Sequence, residues 1–325
     1  MPLSDVVLFA QSQYDIDVLR IEQLTPKVFK LNTVNQDYLL KFSQSDNEFV
    51  MKQLFAYKVL KDNVPAIYET RAGHYIAPFS EGHIAYLTDF IDEIPIPLEK
   101  RTHEYVKLLH RLHQETVILV DKNDEQINQM YDKDEKMLER SYLALQKSMS
   151  EYELLTDKSP FQWHFMMMYP TLYTMLRRAD DEMKKFYRLL AREKKLPIAL
   201  VHGDINIANM IVSKQSFYLI NFESSDFKMP VLDTCAFLAN YNQVPGSSSI
   251  VSDYIKSEDN KLLRHYFFFR ALCIDLEAVL SMQEGHSLHT ISIFNEHLAP
   301  SLLSLQLYDE IMSKGAKKKD EKKAT

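Results

Sequence analysis

The 325-residue sequence predicts an α+β chain of two lobes: a small strand-rich N-terminal lobe over residues 1–91 and a large, mainly helical C-terminal lobe over 92–314. A disordered lysine-rich tail is expected over 315–325. Alternating apolar positions cluster in the first ninety residues, helical spacing dominates beyond Pro97, and strand-like runs return only between residues 198 and 222. An apolar fraction of 46%, with 18 Phe and 18 Tyr, is enough to build a substantial core.

Residues 4–20 carry Val6, Val7, Phe9 and Ala10, with Tyr14 and Leu19 beyond, and read as a short helix and a connection. Val28 to Thr33 alternates, with Phe29, Leu31 and Thr33 on one face. In Tyr38 to Phe42, Tyr38, Leu40 and Phe42 face one way and Leu39 and Lys41 the other. Residues 34–37, with Asn35 and Asp37, supply the hairpin turn. Asp46 or Asn47 caps a helix to about Lys61, on which Val50, Leu54 and Tyr57 stand at helical spacing. Short strands follow near Ile67, over 75–77 and over 85–91. The segment 92–97 reads as an extended connector, because each proline disfavours helix at the residue before it.

Past the connector, Tyr105, Leu108, Leu109 and Leu112 mark one face of a helix ending near Gln114. Residues 121–195 form a long polar helical region holding Trp163 and Met166 to Met168, both expected as core filling. Strand-like pieces recur over 198–201, 210–212 and 217–222. A last clear helix over about 258–283 stripes Leu262, Tyr266, Phe269, Cys273, Leu276 and Leu280.

Composition narrows the function classes. A net charge of −7 argues against a nucleic-acid partner, which needs concentrated basic surface. No apolar run reaches the roughly 18 residues of a membrane-spanning helix, and residues 1–11 lack the pattern of a secretory leader. Cys235 and Cys273 sit among apolar residues and suit buried thiols in a cytoplasmic protein.

The chemistry concentrates where a buried run, Leu200-Val201, leads into His202, Gly203 and Asp204. Asn209 follows Asp204 by five positions, and the next short strand delivers Asn221 and Glu223. Phosphoryl transfer needs cationic neutralisation of phosphates, a bridging metal and a carboxylate that orients the acceptor hydroxyl. Asp204 is the candidate carboxylate, and Asn209, Asn221 and Glu223 are candidate oxygen donors to a metal. His202 is expected to order the loop through hydrogen bonds. His110 and His113 stand three apart on a helix with no third ligand evident, so a packed helix face is expected.

This pattern resembles the aminoglycoside phosphotransferase and choline kinase family, most nearly its spore-coat kinase-like subgroup. In that subgroup an Ile-Asp-Phe segment follows the His-Gly-Asp loop, and a second Asp comes twelve residues after the first; here Asn221 and Asp233 hold that spacing. Tyr38-Leu-Leu-Lys-Phe42 matches the lysine strand, Tyr86-Leu-Thr-Asp-Phe-Ile91 the hinge, and Leu108-Leu-His-Arg-Leu-His113 the first helix of the large lobe. The resemblance spans about residues 20–280. It implies a kinase-like fold using ATP and Mg²⁺, with Lys41 on the phosphates and Glu48 as the lysine's helical partner. Thr88, Asp89 and Phe90 would lie at the adenine, Asp204 would be catalytic, Asn209 would bind metal, and Asp233 would be structural.

Two departures bear on activity. Asn221 replaces the family's metal-binding Asp, and Leu24 to Leu31, where a glycine-containing hairpin would cover the phosphates, has no glycine. The whole chain has six glycines, where average usage of about 7% would give roughly 23. The expectation is a degraded member, a pseudokinase that binds nucleotide or a protein partner. The alternative is an active ATP-dependent transferase acting on a small hydroxylated acceptor.

Overall fold

The structure is a computed structural model that describes residues 2–44, 47–80, 82–281 and 288–323. Of the helix caps expected from sequence, Asp46 lies outside these residues. Contacts divide the chain into two compact units: Met1–Val117 with Ala199–Lys228, and Ile118–Ile198 with Met229–Thr325.

The first unit is built on a six-stranded sheet. Its strands are β1 (Arg20–Thr25), β2 (Val28–Asn32), β3 (Asp37–Ser43), β4 (Ile67–Tyr68), β5 (Ala77–Ser80) and β6 (His83–Asp89). All pairings are antiparallel in the order β1-β2-β3-β6-β4, with β5 also on β6. The alternation in β3 sorts its side chains as the sequence predicts. Leu40 and Phe42 join Phe29, Leu31 and Leu87 in a core capped by Val6, Ala10 and Tyr14 of helix α1 (Leu3–Gln13). Leu39 and Lys41 turn the other way, into a cavity. Burying one apolar face fixes register, since a one-residue slip would expose Leu40 and Phe42.

Helix α2 (Asn47–Leu60) adds Phe49, Val50 and Leu54 to a second cluster with Ile67 and Tyr86. After the connector, α3 (Leu98–Thr116) buries Tyr105, Leu108, Leu109 and Leu112, the stripe legible in the sequence. At its last turn Thr116 Oγ1 donates to Leu112 O and accepts from Leu200 N at 3.0 Å.

In the second unit β7 (Ile118–Asp121) pairs with the opening residues of β8 (Lys195–Val201). The remaining residues of β8 pair with β11 (Asp226–Lys228) in the first unit's sequence, where β9 (Met210–Val212) and β10 (Phe217–Leu219) form a separate hairpin. The polar region over 121–195 is two long helices, α4 (Asp124–Leu154) and α5 (Pro160–Glu193). Each starts on a capping box, Asn123 with Gln126 and Ser159 with Gln162, which satisfies otherwise orphaned N–H groups.

Helices α6 (Val231–Tyr241), α7 (Ser247–Ser257), α8 (Lys261–Leu272), α9 (Leu276–Ser281) and α10 (Leu288–Lys323) complete the unit. The single helix expected over 258–283 is therefore two. The break falls at residues 273–275, where the Asp275 carboxylate accepts from Ala278 N at 3.0 Å and so caps the start of α9. A side chain that bonds its own backbone offers an alternative to the helical ladder, although the apolar stripe runs on unbroken. Residues 282 and 283 lie outside the described residues. Helix α10 extends into the lysine-rich end as far as Lys323, and residues 324 and 325 lie outside the described residues.

Trp163 and Met167 correct a core expectation: they are 54% and 76% exposed on α5, with Lys158 Nζ 5.4 Å from the Trp163 ring. Their spacing of four puts both on the face opposite Phe161 and Phe165, which fill the core instead.

Candidate functional site

The site lies within the first unit. Strand β8 delivers buried His202, then Gly203 at φ +79°, then Asp204. A Cβ on Gly203 would lie 2.1 Å from Ser224 O, so only glycine fits this close approach. The loop then closes on itself. Asn206 accepts from Ala208 N, a turn of 3-10 helix spans Ile207–Asn209, and Asn209 Nδ2 donates to Asp204 Oδ2 at 2.9 Å and to Asp204 O at 3.1 Å.

Two links tie this loop to the strand after it. Ile220 N donates to Asn209 O at 2.9 Å, and His202 Nε2 lies 2.8 Å from Ile220 O. Asn221 follows in the left-handed conformation, φ 64° and ψ 57°, which Asn tolerates better than most residues. Its Nδ2 donates to Asn209 Oδ1 at 2.8 Å, and its Oδ1 accepts from Lys41 Nζ at 2.9 Å. Lys41 Nζ also pairs with Glu223 Oε1 at 2.7 Å. A continuous chain thus runs Asp204, Asn209, Asn221, Lys41, Glu223. Tyr86, paired across the sheet from Lys41, has its phenol pushed up by burial and secondarily by the Glu223 carboxylate.

Beside this chain lies a cavity of about 320 Å³. Leu24, Val28 and Leu39 line it from the six-stranded sheet, and Ile211 and Ile220 from the stretch containing the β9–β10 hairpin. Thr88, Asp89 and Phe90 lie along its edge. The Asp89 carboxylate is already held, accepting from Tyr68 OH at 2.5 Å and Ala66 N at 3.1 Å. Lys30 Nζ sits 3.9 Å from the Phe90 ring centre and pairs with Asp37.

Of the residues singled out in the sequence, the structure brings Lys41, Asp204, Asn209, Asn221 and Glu223 together. It does not bring Glu48, which is exposed and pairs with Lys52 at 2.9 Å; Glu223 holds Lys41 in its place. Lys52 in turn donates to Ser225 O at 2.9 Å, which ties α2 to the segment after Asn221. Asp233 belongs to the second unit, buried in the first turn of α6. Gln53 is the functional candidate that sequence reasoning missed. It is 3% exposed and lines the cavity, yet in the sequence it is one polar residue in an amphipathic helix.

A bridging dication fits these residues poorly. Hard metals prefer carboxylate and other free oxygen ligands. Here the Asn209 and Asn221 side-chain oxygens already accept hydrogen bonds, and the Lys41 ammonium sits against one of them. No cluster of three His, Cys, Asp or Glu suited to a metal occurs among the described residues. That includes His110 and His113, whose rings pack 6.5 Å apart.

No family model and no curated protein matches the sequence. Solved structures do. An aminoglycoside phosphotransferase from Alicyclobacillus acidocaldarius subsp. acidocaldarius DSM 446 superposes with a TM-score of 0.65 at 11% identity, over 97% of this chain and 96% of that one. Spectinomycin phosphotransferase in complex with ADP and spectinomycin gives 0.50 at 14% identity, over 95% and 99%. Its AMP-bound complex gives 0.52 at 14%, over 94% and 98%. The chain therefore has the kinase-like phosphotransferase fold, with a strand-rich N-terminal sheet and a mainly helical C-terminal part. No helix among the described residues is long and apolar enough to cross a membrane.

Proposed function

We propose that this kinase-fold protein is a pseudokinase: it binds a nucleotide-class ligand in the cavity beside Lys41 and lacks efficient metal-dependent phosphoryl transfer. The observation that carries the reading is the hydrogen-bonded chain from Asp204 to Glu223. Every side-chain oxygen that would face a metal through Asn209 or Asn221 already has a protein donor. Kinase-fold catalysis rests on positioning and on charge neutralisation at the phosphates, and here Lys41 bonds Asn221, a neutral residue where the resemblance expects a metal-binding Asp.

The cavity itself supports retained binding, since it is largely apolar and walled by aliphatic side chains next to a strand edge. That a structural neighbour is in complex with ADP supports a nucleotide as the class of ligand. The Asn221 to Asp233 spacing supports kinship with the spore-coat kinase-like subgroup. The free thiols of Cys235 and Cys273, both pushed up to about 12 by burial, suit a reducing cytoplasmic setting.

An active small-molecule O-phosphotransferase is the second reading. The exposed Asp204, anchored by Asn209, favours it, because a fixed carboxylate at a loop end can orient an acceptor hydroxyl. Thermal denaturation with ATP, in Mg²⁺ and in EDTA, together with ATP turnover by wild type and Asp204→Ala, separates the two. The pseudokinase reading expects an ATP-induced shift that is equal in both buffers and no turnover that depends on Asp204. A shift that needs Mg²⁺, with turnover abolished by Asp204→Ala, establishes the active enzyme instead.

A further inference from the structure

We infer that this cavity takes a purine nucleoside in preference to the corresponding nucleoside polyphosphate, and that Glu223 sets the preference. The inference rests on the nucleotide-class reading above and names the form of ligand the site accepts.

Charge is the first ground. The charged residues lining the cavity are Lys41, Asp89 and Glu93, one cation against two carboxylates. The cation is engaged at 2.7 Å by Glu223 and at 2.9 Å by Asn221. The neighbouring cations are also turned elsewhere: Lys30 pairs with Asp37, Lys52 reaches Ser225 O and Glu48, and Arg101 pairs with Glu93. A polyphosphate entering the polar end must displace Glu223 from Lys41 and then lie near the displaced carboxylate. The glycine-free turn between β1 and β2 gives no easy close approach of backbone to phosphate.

The second ground is a neutral polar group on the cavity wall. Gln53 is 3% exposed and lines the cavity. This amide offers both an acceptor and donors, which an uncharged guest bearing hydroxyls and ring nitrogens satisfies without disturbing the Lys41–Glu223 pair. The aliphatic side chains from the sheet and from the 211–220 stretch suit a flat heterocycle. About 320 Å³ lies at the small end of ligand cavities, of order 300–1,000 Å³.

The test is isothermal titration of the full chain with adenosine and with ATP, each in EDTA and in Mg²⁺. Adenosine is expected to bind at least as tightly as ATP, with Mg²⁺ changing neither. Glu223→Gln, which frees Lys41 of its carboxylate, is expected to strengthen ATP binding about tenfold and leave adenosine within about twofold. Tighter binding of ATP than of adenosine by the wild type overturns the inference while leaving the nucleotide-class reading standing. Absence of binding by both ligands overturns the two together. An unchanged ATP-to-adenosine ratio in folded Glu223→Gln removes the role given to Glu223. Should that variant fail to fold, the wild-type comparison alone decides the preference.

Discussion

Asn221 donates its side-chain amide to Asn209 Oδ1 at 2.8 Å. Chemistry fixes the orientation of both amides. Lys41 can only donate, so the atom of Asn221 facing it must be oxygen, which turns the Asn221 nitrogen toward Asn209. Asn209 must then present its oxygen to Asn221 and its nitrogen to the Asp204 carboxylate, which can only accept. One donor–acceptor pattern satisfies both amides without a metal.

An aspartate cannot play that part. Asn221→Asp sets a carboxylate oxygen against Asn209 Oδ1 and leaves two acceptors facing each other. Without metal the variant should lose about 1 kcal/mol. A dication seated between those oxygens should restore it, so the melting temperature of Asn221→Asp should rise with millimolar Mg²⁺ while the wild type stays flat. Mg²⁺ should likewise strengthen nucleotide binding by the variant alone. Identical Mg²⁺ responses in the two proteins would show that Asn221 does not stand where a metal would bind.

Gly203 sets the entry to the same loop. At φ +79°, with Ser224 O only 2.1 Å from where a Cβ would be, Gly203→Ala incurs both a left-handed penalty of about 1–2 kcal/mol and a clash with rigid backbone. The denaturant midpoint should fall by more than the conformational penalty alone requires. Gly73, also at positive φ but with nothing within 4 Å of a Cβ, is the control: Gly73→Ala should cost the conformational part only.

The contrast between these two glycines marks what a sequence can convey. Periodicity exposed the fold class because burial is what periodicity records: Leu40 and Phe42 go to the core, and Leu39 and Lys41 to the cavity. The spacing from Asp204 to Asn209 was readable because a short turn of fixed length returns one side chain to the other. The partner of Lys41 was not readable. Glu48 is near it in sequence, while Glu223 reaches it only through sheet and loop packing, and a helix position alone does not say which way a carboxylate turns. Gln53 left no signal at all, since burial in a cavity wall separates it from any other polar helical residue. The α8–α9 break escaped for the opposite reason: its apolar stripe continues through a break whose new helix is capped by one local hydrogen bond, from Ala278 N to Asp275.

Thr116 carries the strand that aims the site. Its buried hydroxyl donates to Leu112 O at 2.6 Å and accepts from Leu200 N at 3.0 Å, two residues before His202. Thr116→Val keeps the shape and leaves the Leu200 N–H buried without that partner. A loss of about 1–3 kcal/mol in urea unfolding is expected. Amide exchange at Leu200 should speed up more than exchange elsewhere in β8; uniform exchange along the strand would mean that Thr116 contributes packing alone.

Glu182 governs acid stability in the second unit. Its carboxylate is 1% exposed and lies 2.6 Å from His265 Nδ1, 2.5 Å from Lys185 Nζ and 3.2 Å from the Tyr308 hydroxyl. Burial by itself would raise its pKa, but the bonds from His265 and Lys185 outweigh burial and hold it below the ordinary 4.5. An acid depressed in the folded state contributes stability that is fully present above its unfolded pKa and is lost as pH falls through the folded one. Asp134 acts with the opposite sign, because burial raises its carboxyl despite the Tyr187 hydrogen bond. Comparing wild type with Glu182→Gln cancels that background. The variant should be less stable by about 2–3 kcal/mol at pH 7, a figure reduced from fully buried pairs because Lys185 and His265 are partly exposed. The gap should hold down to about pH 5 and narrow steadily below the ordinary carboxylate value. Urea midpoints of the two proteins from pH 7 to pH 3 measure it, and parallel curves through pH 4 would mean that the Glu182 cluster does not titrate with unfolding.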